Sequence, residues 1–425
     1  MFSPVILSSV LLGTAEAFLP AKLHSSRRPR RNLAMSSFEA EWSPSTWKNQ
    51  PVGNMLTFDP ESDVEGAFSE LSGFCPLVFA GEVRALHEQI ARASQGGAFM
   101  LMGGDNSETF DEFSTDRVRD TFRVLLQMAL VLTFGSAMPV IKVGRMGGQF
   151  SAAAGGQAGD PQNMVRAYHE SAQTLNILRA FSSGGYADIS RLHAWNLDFI
   201  DSTEEGTMYR KFAAKVDESL RFMSAIGVDT ASPAFTQTDF YTAHECVMLP
   251  YEESQTRKDS TTLGAGTKWY GCSSHMLWIG EKNRQLDSAH LEFVRGVNNP
   301  LGIKISDKCT PGELIDLLDA MNPRNLPGRV TVIVRMGAGK IRTNLPGLIR
   351  AVQREGRSVL WVSDPMHGNT HVTEGGTSTR SFEKIREELR AFFDVHDEMG
   401  SHPGGVHLEM TGKDVAELGA GDGDT

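Results

Sequence analysis

Apolar residues along this chain follow two habits. In one they cluster in short runs, at 98–104, 139–144, 275–280, 301–306, 330–337 and 358–363. In the other they recur every three or four positions, as Val83, Leu86, Ile90 and Ala91 do within 82–94. The stretches 116–134 and 310–319 share that second habit. Short β-branched runs bounded by Gly and Pro predict buried strands, and the helical period predicts amphipathic helices between them. From 275 onward the alternation repeats about every thirty residues, one strand and one helix at a time. A further strand is expected at 193–198, following those at 98–104 and 139–144. The pattern predicts a parallel α/β fold. A length of 425 residues fits two or three domains, or a single α/β barrel.

The runs also share an ending. Arg145 follows the second, Glu281 and Lys282 follow the run at 275–280, Lys304 closes the next, and Arg335 the one after. The run at 358–363 opens into Asp364-Pro-Met-His367, and Glu409 ends a later stretch, Gly404-Gly-Val-His-Leu-Glu409. The carboxyl ends of parallel strands are where α/β folds build active sites. Several cations around one point bind a multiply charged anion, with Arg suited to carboxylate and phosphate. A His and a Glu from neighbouring strands suit a divalent metal acting as Lewis acid. Any one such residue is more often a solvated ion-pair partner, and Trp269 and Trp278 more often fill space. Repetition over five successive units tells against that reading. The residues alone therefore point to a metal-assisted barrel enzyme acting on a small phosphorylated carboxylate.

A net charge of −11 excludes a nucleic-acid protein and makes these cations a local positive site. Four cysteines in no CxxC pair indicate a reducing compartment. Residues 1–17 have the apolar core and Ala15-Glu-Ala17 of a cleavable signal peptide, too short for a permanent anchor, so no membrane contact is expected in the mature form. Residues 18–36 are rich in Arg and Ser and lack acids, the composition of an organelle transit segment. Signal and transit segments in succession resemble the two-part presequences of algae with secondary plastids, and a plastid location is expected. Residues 37–96 read as an N-terminal extension that opens on Trp42 and Trp47, 151–159 as a flexible loop by composition, and 413–425 as a disordered tail.

Five motifs make a more specific resemblance. They are Lys142-Val-Gly-Arg-Met-Gly-Gly-Gln-Phe150, His275-Met-Leu-Trp-Ile-Gly-Glu-Lys-Asn-Arg-Gln-Leu-Asp287, Asn299-Pro-Leu-Gly-Ile-Lys-Ile-Ser-Asp-Lys308, Asp364-Pro-Met-His-Gly-Asn-Thr370 and Gly404-Gly-Val-His-Leu-Glu-Met-Thr-Gly412. Together with Trp42 to Trp47 they resemble class II, plant-type DAHP synthase. The resemblance implies a (β/α)8 barrel over 97–412 that condenses phosphoenolpyruvate with erythrose 4-phosphate, opening the shikimate pathway, in a homo-oligomer. It implies that Arg145, Glu281, Lys282, Lys304 and Arg335 hold phosphoenolpyruvate, with Lys304 the proton donor. It also implies that His367 and Glu409 ligate a divalent metal, manganese first, with cobalt or magnesium as alternatives. His367 thereby joins Lys304 in the catalytic set.

Four departures from the family pattern alter what is expected. Lys282 stands where Arg is usual, keeping the charge but not the fork. Asn106 stands where the family has a metal-binding Cys, and a neutral amide is a weaker ligand than thiolate. Ser151-Ala-Ala-Ala-Gly155 replaces Ala-Lys-Pro-Arg-Ser, whose Arg and Ser hold the aldehyde's phosphate. A Cys-Asp-Pro-Arg segment, source of the fourth metal ligand, has no counterpart before Thr425. Three readings follow: an active synthase with an altered metal site and a high KM for erythrose 4-phosphate, an inactive phosphoenolpyruvate-binding homologue serving as partner or regulator, or the incomplete gene model of an ordinary synthase.

Overall fold

A computed structural model describes residues 42–412 except 56, 59–61, 106–107, 149–158, 193–203, 261–267 and 373–377, and beyond them residues 418–419. Eight parallel strands close a barrel: β1 (Phe99–Gly104), β2 (Val140–Arg145), β3 (Tyr241–Glu245), β4 (Met276–Ile279), β5 (Leu301–Ile305), β6 (Val330–Val334), β7 (Leu360–Ser363) and β8 (Pro403–Glu409). Each strand pairs with its neighbours in the chain, and β8 closes onto β1 with Gly104 opposite Glu409. This is the (β/α)8 architecture. Among the described helices are α1 (Val64–Gly73), α2 (Ala80–Ala93), α3 (Thr115–Ser136), α4 (Gln162–Ser183), α5 (Glu204–Ala225), α6 (Ala289–Gly296), α7 (Pro311–Met321), α8 (Ile341–Arg354) and α9 (Phe382–Glu398). None of the described helices is long and apolar enough to cross a membrane.

Local chemistry starts these helices where the strands release the chain. Thr310 and Glu313 form a capping box around Pro311 at the first turn of α7. Ser288 and Ser114 accept from backbone amides at the starts of α6 and α3. Leu314, Leu317, Leu318 and Met321 of α7 then face the outer wall of the barrel, buried against residues such as Val330 and Ile303.

The strand expected at 193–198 lies outside the described residues, and the third place in the barrel is taken by Tyr241–Glu245. Two helices of 22 residues, α4 and α5, intervene between β2 and β3. β3 escapes detection because Tyr-Thr-Ala-His-Glu offers no apolar run. Its Thr242 bonds to His275 and its His244 Nε2 to Glu252 instead. Of the expected tail, Leu418–Gly419 pairs in parallel with Arg380 and Ser381 of a short strand outside the barrel.

Inside the barrel, Met100, Met102, Ile141, Val143, Tyr241, Ala243, Met276, Trp278, Ile333, Leu360 and Val362 form one core. Leu86, Ile90 and Ala93 of α2 belong to the same cluster, so this helix plugs the end of the barrel from which the strands begin. Trp278 is fully buried because Gly302 on the next strand has no Cβ to meet it. The aromatic start of the described chain is pinned outside. Trp42 lies against Gly296 and donates to the Glu292 carbonyl at 2.9 Å, and Trp47 donates to Glu253 at 2.9 Å.

His396 on α9 adds a pH dependence to this packing. It is buried against Phe392 and Trp361, with Nδ1 on the Ser401 hydroxyl at 2.7 Å. Burial, aided by nearby His402, pushes its pKa down from 6.5 to about 3. Below 6.5 the unfolded chain takes a proton that the folded one refuses, so this contribution is whole above 6.5 and lost as pH falls towards 3. The slope approaches about 1.4 kcal/mol per pH unit. Urea unfolding between pH 6.5 and 4 is expected to weaken less steeply for His396→Asn than for the unmodified chain. Parallel slopes would contradict this assignment.

Candidate active site

Side chains alternate in and out along a strand, so the core residues fix which later positions face inward. Met100 and Met102 lead to Gly104, Ile141 and Val143 to Arg145, and Tyr241 and Ala243 to Glu245. Trp278 leads to Gly280, Ile333 to Arg335, and Leu360 and Val362 to Asp364. By the same parity Gly302 leads to Lys304 and Gly405 to His407 and Glu409. The top layer of the interior is therefore almost entirely charged or glycine.

One wall of this layer is cationic. Arg145 is buried, with its guanidinium 5.4 Å from the centre of the Trp278 ring, and Lys304 Nζ is 5.9 Å from the same ring. Arg145 Nη1 donates to His407 Nε2 at 2.8 Å. Since Arg only donates, Nε2 accepts and the proton sits on Nδ1. Burial, together with the charges of Lys304 and Arg145, holds the His407 pKa well below its usual range, consistent with a neutral ring.

A carboxylate lies directly against these cations. Lys304 Nζ donates to Asp364 Oδ2 at 2.9 Å, and His367 Nδ1 donates to the same oxygen at 2.7 Å. Burial raises the pKa of Asp364, but the charges of His367 and Lys304 outweigh it and hold the carboxyl well below the usual range. Burial lowers the pKa of Lys304, and Asp364 only partly offsets this. Burial would lower His367 too, yet Asp364 raises it on balance. With Nδ1 so engaged, His367 turns Nε2 towards Glu409, 3.4 Å from Oε1. Arg380 approaches the other Glu409 oxygen at 2.5 Å, yet both oxygens lie buried without a well-aligned hydrogen bond. Such a carboxylate beside an imidazole suits a divalent cation.

Arg335 is half-buried just past β6, and its Nη2 donates to the His367 carbonyl at 3.1 Å. Glu281 and Lys282 lie on a 3-10 turn after β4. Glu281 accepts from Ser306 at 2.8 Å and Arg284 at 3.0 Å and leaves its second oxygen buried without a hydrogen bond. Lys282 is exposed. Thus Arg145, Lys304, Arg335, His367 and Glu409 share one rim, Glu281 stands on its edge, and Lys282 is exposed beside it. Asn106 lies outside the described residues, as does the loop at 151–155 apart from the flanking chain. No cluster of three or more His, Cys, Asp and Glu side chains suited to a metal occurs among the described residues. Sequence reasoning missed Asp364, His407 and Glu245, which strand parity would have found once β3 was known. It also missed Arg380, which comes from a strand outside the barrel (Ser378–Ser381) and left no signal.

Residues 42–155 and 151–424 match the family model described as Class-II DAHP synthetase family. The chain is 41% identical over 414 residues to a phospho-2-dehydro-3-deoxyheptonate aldolase of Streptomyces coelicolor, covering 90% of this chain and 91% of that one. It is 41% identical over 402 residues to a probable chloroplastic phospho-2-dehydro-3-deoxyheptonate aldolase of Catharanthus roseus, with 91% and 78% covered. A relative of the same name from Mycolicibacterium smegmatis is 37% identical over 394 residues, with 87% and 84% covered.

Asp364→Asn keeps the shape but strips the counter-charge from buried Lys304 and His367. It is expected to cost about 3–5 kcal/mol in denaturant unfolding. The exposed pair of Lys340 with Asp307 serves as the control, and Asp307→Asn should cost under about 1 kcal/mol. Equal effects of the two substitutions would show that the Asp364 network carries no special weight.

Proposed function

The chain belongs to the class-II DAHP synthetase family, whose members condense phosphoenolpyruvate with erythrose 4-phosphate in the first step of the shikimate pathway, and we propose that its barrel rim is the site of that condensation. The observation that carries this reading is the placement of Arg145 and Lys304 5.4 and 5.9 Å from the Trp278 ring, with Arg335 on the same rim and the His367–Glu409 pair joined to Lys304 through Asp364. Arg145, Lys304 and Arg335 hold the phosphate and carboxylate of phosphoenolpyruvate through charge-assisted hydrogen bonds. Glu281, fixed by Ser306 and Arg284, orients the donor, and Lys282 reaches it from the mouth.

His367 Nε2 and Glu409 are the protein's fit to a divalent metal, with Asn106 as a further ligand and manganese the metal expected. When bound, it supplies Lewis-acid polarisation of the acceptor aldehyde. The remaining work falls to this chain's own groups. Cations on the rim fix the enol carbon against the aldehyde, where the new carbon–carbon bond forms as water adds and phosphate leaves. Lys304 holds a proton whose affinity burial has lowered, so it can pass that proton to the oxygen that becomes a hydroxyl. Asp364 keeps Lys304 and His367 at a fixed separation throughout.

For location, the Catharanthus relative carries "chloroplastic" in its name. Together with the signal-like and transit-like segments this supports a plastid protein. A fluorescent reporter fused behind residues 1–40 is expected in plastids, and secretion of the reporter would refute the assignment.

Calorimetry with the unmodified chain is expected to detect phosphoenolpyruvate binding, and Arg335→Ala should weaken it by about 1.5–3 kcal/mol. A folded unmodified chain that binds no phosphoenolpyruvate would overturn the reading.

A further inference from the structure

Glu388 is a fully buried carboxylate on α9, outside the rim's ring of charges. Its Oε1 accepts from the backbone amides of Met336 at 2.9 Å and Gly337 at 3.0 Å. Its Oε2 accepts from the Asn369 side-chain amide at 2.6 Å. Asn369 in turn accepts from the Ala338 amide at 3.1 Å and donates to the Pro365 carbonyl at 2.8 Å. Two turns are thereby tied together. The turn after β6 begins beside Arg335, and the turn after β7 carries His367. They meet so closely that Gly337 is left-handed, at φ 84°, and a Cβ on Gly368 would strike its backbone.

No Lys or Arg among the described residues pairs with Glu388, and burial pushes its carboxyl up to about 7 despite three N–H donors. A carboxylate kept in so unfavourable a place is accounted for by what it holds. We propose that Glu388 is a positioning residue that sets the spacing between Arg335 and His367, and so governs donor-substrate and metal affinity together. This rests on the rim assignment above. Arg335 donates to the His367 carbonyl at 3.1 Å, so a shift of either turn moves both groups. A displacement of a fraction of an ångström at such groups is enough to matter.

The chemistry of an amide supplies a specific test. In Glu388→Gln the side-chain oxygen is claimed by Met336 and Gly337, so the new NH2 faces the Asn369 NH2, donor against donor. Asn369 cannot turn over without losing the Ala338 and Pro365 bonds. Phosphoenolpyruvate and Mn(II) affinities are measured separately by calorimetry on the full chain, with melting curves confirming that each variant folds. Glu388→Gln is expected to weaken both by about tenfold. Asn369→Ser, which cuts the same tie from the other side, is expected to weaken both as the single Gln does.

Unmodified affinities in folded Glu388→Gln or Asn369→Ser would overturn the inference, as would a loss confined to one of the two ligands. Should Glu388→Gln not fold, Asn369→Ser decides the matter by the same two affinities. Failure of the unmodified chain to bind either ligand would instead defeat the rim assignment. Binding by the unmodified chain with no effect of the substitutions defeats only the role of Glu388.

Discussion

The Asp364 carboxylate is what allows two cationic groups to sit inside the barrel. Lys304 and His367 both donate to it, and it is fully shielded from water. Without it, each would face the full cost of a buried charge, several kcal/mol or neutralisation by losing its proton. The same side chain accepts from the amides of Met366 and His367, at 3.2 Å each, and so bends the chain after β7 back over the rim. One residue therefore solves an electrostatic problem and a geometric one. It keeps Lys304 charged enough to bind an anion and sends His367 Nε2 towards Glu409.

Packing beneath the rim makes that arrangement rigid. Trp278 fills the centre of the upper barrel because Gly302 yields it space, and its ring then lies between Arg145, Lys304 and His407. An aromatic face favours nearby cations, so the ring adds to what the Asp364 carboxylate does for Lys304. At the other end α2 seals the barrel with Leu86, Ile90 and Ala93. Water is excluded from below, and the charged layer faces out only through the mouth.

Glu409 balances the two halves of the site. Arg380 and His367 divide its charge, so a cation arriving there exchanges partners rather than meeting a bare carboxylate. Arg380 comes from a short strand between β7 and α9 that also pairs with Leu418 and Gly419. The far end of the chain is thus in register with the group that neutralises a metal ligand. That coupling belongs to this region, where the chain departs from the pattern its motifs otherwise follow.

Sequence by itself determined the strands whose apolar runs are continuous, the helices with a clear stripe, and the cations at strand ends. These signals are local: a run, a period, a Pro or Thr at a helix start. It also determined the family, because long motifs such as Asp364–Thr370 carry many residues together. Only the tertiary structure decided that β3 is Tyr241–Glu245, since a strand whose polar residues are buried by bonding to His275 and Glu252 has no apolar signature. It decided that Arg145 meets His407 across 262 positions of sequence, and Lys304 meets Asp364 across 60. It left Lys282 exposed while its neighbour Glu281 is half-buried on the rim, because a 3-10 turn, not the strand's alternation, carries them. Which charge answers which is fixed when the circle of eight strands closes, and no local stretch of sequence contains that closure.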